Sequence, residues 1–120
     1  MTSVVHEDTM YLFGGSTNES ENCEMYSLDL NKLRWDLIKP KNPAGDPNNP
    51  VTRDEHTAVT LDDSMIVFGG FSFGERSNEI FKFSFRNHMW EKIESVSKIK
   101  PSQRAGHSAV IRQTKEGDFM

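Results

Sequence analysis

The chain has 120 residues, 35% of them hydrophobic, with a formal net charge of -4 and a single cysteine, Cys23. One cysteine excludes an internal disulfide and fits a reducing compartment. No apolar run approaches the roughly 18 residues of a membrane helix, and His6, Glu7 and Asp8 argue against a secretory leader, so a cytoplasmic location with no membrane partner is expected. Residues 1–38 hold seven acids against Lys32 and Arg34, and no stretch forms the concentrated basic face of a nucleic-acid binder.

In chain order, the first strong signal is Met10-Tyr11-Leu12-Phe13, apolar at every position, followed by Gly14-Gly15. A strand tolerates such a run when both faces are buried, and glycine then lets the chain leave the sheet at positive φ. Tyr26, Leu28 and Leu30 alternate with period 2, as one face of a strand does. Trp35 to Ile38 reads as an outer strand whose Trp and Ile seal a cleft between sheets. Residues 39–52 contain four of the five prolines and no aromatic residue, which marks a loop.

The same series then returns. Thr57 to Leu61 mixes small and β-branched residues, Met65 to Phe68 is apolar throughout and ends in Gly69-Gly70, Phe81, Phe83 and Phe85 share a face, and Trp90 to Ile93 forms the outer strand. Placing residues 2–39 on 57–94 without a gap keeps ten identities, among them Phe13/Phe68, both glycine pairs, Glu24/Glu79 and Trp35/Trp90. Arg53-Asp54-Glu55-His56-Thr57-Ala58-Val59 recurs as Arg104-Ala105-Gly106-His107-Ser108-Ala109-Val110, which opens a third copy with a first strand expected from His107 to Arg112.

A repeat of about 50 residues with Arg-x-x-His, a strand ending Gly-Gly, and a later Trp resembles the kelch repeat over nearly the whole chain. The expected fold is all-β: a partial kelch-type β-propeller of about two four-stranded antiparallel blades plus the first strand of a third. Its parts are a blade at 1–38, an inter-blade loop at 39–52, a complete blade at 53–93, a loop at 94–103 and the start of a third blade at 104–120. Propellers close with four to eight blades, and two leave apolar faces and sheet edges uncovered. A stable monomer is therefore not expected, and the missing blades would come from a longer polypeptide, from other chains, or from a ring of copies. The first of these fits the mid-motif ends best.

In kelch proteins the loops between second and third strands and those between blades share the ligand-holding face. The resemblance places Ser16–Asn22, Phe71–Ser77, Lys39–Thr52 and Glu94–Gln103 there. Phe71, Phe73 and Arg76 are candidates for partner binding, since aromatics with an arginine commonly anchor interfaces. Arg53 and Arg104 are further candidates, because the guanidinium suits bidentate carboxylate contact; a loop clamp, or a salt bridge to Asp54 or Glu55, is the competing role. His56 and His107 recur at one blade position and are expected to pack and hydrogen-bond rather than ligate metal. Gly14, Gly15, Gly69, Gly70, Trp35 and Trp90 complete the structural signature. Asn18-Glu19-Ser20 matches a glycosylation pattern that a chain without a leader would not use.

These features point to a non-catalytic protein-interaction module that binds an unidentified protein and needs no cofactor. An enzyme of the galactose oxidase type shares the architecture, but requires a Tyr joined to Cys and two His ligands to copper. Cys23 has no evident set of that kind around it. A phosphate-binding loop is the weaker reading of both glycine pairs, since neither is followed by Lys-Ser or Lys-Thr and a helix.

Overall fold

The computed structural model describes residues 1–16, 23–95, 97–114 and 117–119, and the side chains up to residue 112. Residues 17–22, with the glycosylation pattern and most of the first loop, lie outside it, as do residue 96 in the second inter-blade loop and Met120. All regular structure among the described residues is strand. Strands β1 (Thr2–His6), β2 (Thr9–Phe13), β3 (Met25–Asp29) and β4 (Arg34–Ile38) form one antiparallel sheet in sequence order. Strands β5 (Thr57–Leu61), β6 (Ser64–Ser72), β7 (Glu75–Ser84) and β8 (Met89–Ile93) form a second of the same topology.

Alternation dictates what each strand buries. Phe81, Phe83 and Phe85 all lie on the face that meets the first sheet, and all are buried. Facing them from the first sheet are Val4, Tyr11, Phe13 and Met25. Tyr11 stacks on Phe85 at 4.3 Å between ring centroids, and Phe13 meets Trp90 at 5.0 Å. Trp90 therefore seals the cleft between the sheets, with Ile38 packed against the same core. Trp35, its repeat equivalent, does not: it sits on the first sheet's opposite face, 51% exposed against 4% for Trp90. The reason is tertiary, since only Trp90 has a sheet in front of it.

The glycine pairs serve close approach as well as turning. Gly14-Gly15 follows the end of β2, but Gly69-Gly70 lies inside β6, where the register shifts and the strand continues to Ser72. That corrects the expectation of a strand end. Gly70 has φ of 103°, and a Cβ there would come within 2.7 Å of the Asp54 carbonyl and 2.8 Å of the His56 Cβ. The bulge thus admits the backbone that leads into the neighbouring strand.

Two more expectations change. Phe71–Ser77 is not a loop, because β6 and β7 pair out to Ser72 and Glu75 and leave only Phe73-Gly74 as the turn. The third copy's strand begins at Arg112 rather than His107: β9 (Arg112–Thr114) pairs with β10 (Gly117–Phe119) in a separate hairpin, and residues 107–111 form no strand.

The Pro-rich loop has a structural role that its composition conceals. Buried Asn42 donates from Nδ2 to the Trp90 carbonyl at 3.0 Å, and its Oδ1 accepts from the Trp90 amide at 2.7 Å. Asn48 Oδ1 accepts from the Lys92 amide at 3.1 Å, and the Lys41 amide donates to the His88 carbonyl at 2.7 Å. The two asparagine side chains thus satisfy the free edge of β8, which would otherwise offer unpaired backbone groups. Asn42→Ala strands both Trp90 groups and should cost about 1–3 kcal/mol in urea unfolding; a cost near zero would show that water replaces the strap.

Candidate protein-binding face

Inner strands and bulges from consecutive repeats are joined by one recurring set of bonds. The Gly15 amide donates to the Arg53 carbonyl and the Gly70 amide to the Arg104 carbonyl, both at 2.9 Å. His56 Nε2 lies 2.7 Å from Thr2 Oγ1, and His107 Nε2 lies 2.9 Å from Thr57 Oγ1 and 3.0 Å from the Phe68 carbonyl. The rings meet Phe13 and Phe68 edge-on at 5.1 and 5.2 Å. Both histidines hold one repeat to the preceding one. Burial drives the His56 pKa down to about 3, so the imidazole is neutral.

Arg53 is fully buried. Its Nη1 donates to the Gly69 carbonyl at 3.0 Å, its Nε to the Val51 carbonyl at 3.2 Å, and the guanidinium lies over the Phe81 ring, 4.8 Å from the centroid. Its ionic neighbour is Glu79 at 3.7 Å, rather than Asp54 or Glu55. Lys92 Nζ also reaches Glu79, at 3.0 Å. Burial would raise the Glu79 pKa, but the Lys92 hydrogen bond and the two cationic charges hold it below the ordinary value. Arg53 is thus committed inside the protein as a clamp. The Glu24/Glu79 identity was the sequence signal for its acidic partner.

Arg104 repeats the local geometry in the open. Its Nε donates to the Ser102 carbonyl and its Nη2 to Ser102 Oγ, each at 3.1 Å, while the side chain remains exposed. Its amide donates to the Ser77 carbonyl at 2.9 Å. Ser77 pairs with Gly70, and Phe71 pairs with Arg76 and bridges to Asp54 through bonds of 3.0 and 2.7 Å. The backbone therefore brings Phe71, Arg76 and Arg104 to one end of the second sheet, with Arg53 buried beneath it.

At the tip of that end sits Phe73, with φ of 49°, followed by Gly74 at 81°. Positive φ at both central residues defines a type I′ hairpin turn, which favours Asn-Gly. An aromatic there is strained, and Phe73 is also 75% exposed. Ser72 Oγ donates to the Thr52 carbonyl and Asn78 Nδ2 to the Pro101 carbonyl at 3.1 Å, tying the hairpin to both inter-blade loops. Those loops add exposed Val51 and Ile99, which the sequence reading passed over.

Among the described residues no group of three or more His, Cys, Asp or Glu is placed to hold a metal ion. Cys23 is exposed and free. Partial burial and the neighbouring Glu24 charge push its thiol pKa up, against a reactive thiolate. No helix among the described residues is long and apolar enough to cross a membrane.

Comparison with known proteins agrees with this architecture. The family model described as the KLHDC2/KLHL20/DRC7 Kelch-repeats domain matches residues 1–117. Kelch domain-containing protein 3 of Bos taurus is 30% identical over 111 residues, covering 85% of this chain and 29% of the relative. The leucine-zipper-like transcriptional regulator 1 homolog of Drosophila melanogaster is 26% identical, covering 95% of this chain and 12% of the relative. Kelch domain-containing protein 10 of Rattus norvegicus is 30% identical, covering 87% and 24%. The chain thus spans less than a third of the length of these curated relatives. The solved structure of YjhT superposes with a TM-score of 0.70 at 22% identity, over 92% of this chain and 30% of that one.

Proposed function

The chain belongs to the kelch-repeat family, and we propose that it is a non-catalytic interaction module: two blades and the start of a third in a larger propeller, in the cytoplasm, whose loop face binds a protein partner. The observation that carries this reading is Phe73, which is strained, solvent-facing and held at the end where Arg76 and Arg104 also emerge. Strain at an exposed tip is retained where it serves recognition, and aromatic and arginine side chains dominate binding energy at interfaces. The open apolar faces of both sheets support further blades, and the short share of each relative's length that this chain covers agrees with them. Fold alone does not select the partner.

Phe73→Asn separates structure from binding. Asn suits the left-handed turn position, so the variant should gain roughly 0.5–1 kcal/mol in urea unfolding while losing capture of a partner identified by cross-linking to the parent chain. Phe73→Ala with Arg76→Glu should abolish capture with the circular dichroism spectrum unchanged. Undiminished capture in both variants would place the site elsewhere.

A further inference from the structure

The end that carries Phe73 is convex. Beyond the bulge, Gly70 pairs with Ser77, Phe71 with Arg76 and Ser72 with Glu75, which raises a hairpin to the Phe73-Gly74 tip. Both of its sides are tied down, by Asp54 and Thr52 along β6 and by Arg104 and Pro101 along β7. The tip is therefore fixed before any partner arrives, which avoids the ordering cost that a mobile loop carries. Two open clefts of about 680 and 670 Å³ flank the sheets, and no residue from 71 to 77 lines either.

Arg76, exposed beside that tip, makes no side-chain hydrogen bond or ion pair with any described residue. Arg34, Arg53, Arg86 and Arg104 each make one. A guanidinium left open next to an exposed aromatic calls for an acceptor outside the chain, and a carboxylate fits its fork with two hydrogen bonds. Glu75, exposed between the two, repels a broadly acidic surface, so the complementary carboxylate has to be a single, placed one.

We infer that this chain supplies the knob and its partner the socket: Phe73 enters an apolar pocket on a folded protein, and Arg76 pairs with a carboxylate at the rim of that pocket. A phenyl ring gains most when both of its faces leave water. Ser72 and Gly74, its neighbours at the tip, have too little side chain to wall it, so the walls have to come from the partner. An extended peptide laid on the tip would cover one face of the ring and leave the other wet. This inference rests on the loop-face reading proposed above and adds the kind of protein that face takes.

A photoreactive benzoyl group on the Phe73 ring of the full chain tests this by cross-linking in cell extract. The attachment points on the captured protein should come from positions far apart in its sequence, with an Asp or Glu among their neighbours. With that protein purified, Phe73→Ala should weaken binding about thirtyfold or more, and Arg76→Glu about tenfold. Phe73→Trp discriminates, since a pocket closed around a phenyl ring rejects the larger indole by about tenfold, whereas an open contact gains from it. Phe73→Asn, which suits the turn, replaces Phe73→Ala if that chain unfolds. Attachment points confined to one short segment, a short peptide of the partner that binds as tightly as the whole protein, or undiminished binding by Phe73→Trp would overturn the socket and leave the loop-face reading standing. Binding unchanged by both Phe73→Ala and Arg76→Glu, or no protein attached at position 73, would instead remove the loop-face reading itself.

Discussion

Trp90→Ala should remove about 3–5 kcal/mol of stability, while the same substitution at Trp35 should cost less than about 1 kcal/mol in dilute solution. The two residues hold one position in the repeat, so local propensity cannot separate them. Trp90 is buried between Phe13, Phe81 and Phe83, at centroid distances of 5.0, 6.4 and 5.0 Å. Its removal opens a cavity between the sheets. Trp35 touches Tyr26 on an otherwise open face. Urea midpoints of the two variants at low micromolar concentration measure the difference. Equal losses would mean that something covers Trp35 in dilute solution.

Mild acid should weaken the protein through His56. An unfolded histidine titrates near 6.5, whereas burial holds folded His56 down to about 3. Below pH 6.5 the unfolded state takes up a proton that the folded state refuses. The stability linked to neutral His56 is therefore fully present above about pH 6.5 and is lost progressively as pH falls towards 3. The whole window corresponds to a loss on the order of 5 kcal/mol. His56→Gln is expected to be less stable at pH 7.5 but to show a flatter decline between pH 6.5 and 5.5; at lower pH the lowered pKa values of Glu79, Asp29 and Asp46 add their own loss in both proteins. If both proteins decline in parallel over that range, His56 is not the group responsible. An NMR titration of its ring gives the folded pKa directly.

Much of the fold was legible because strand patterning is local. Period-2 alternation at Phe81, Phe83 and Phe85 requires only that neighbours point to opposite faces, and the recurrence of Gly-Gly and Trp supplied the repeat. The site was less legible. Arg53 and Arg104 stand in matching motifs, but one guanidinium is enclosed by Gly69, Glu79 and Phe81 and the other faces solvent. The role of Asn42 depends on a partner 48 residues away, in a loop whose prolines and asparagines mark only that it is not a strand. Gly69-Gly70 announced positive φ but not a bulge within a longer strand, because that follows from how Asp54 and His56 approach it.

By itself, then, the sequence determined which residues make strands, which of their faces are apolar, and that one unit is used twice, since each of these follows from spacing along the chain. Only the tertiary structure decided which apolar faces are buried, which arginine is a clamp, and where the aromatic tip stands. Burial, ion pairing and cleft shape depend on what a neighbouring sheet places opposite a residue, and identical motifs acquire different neighbours.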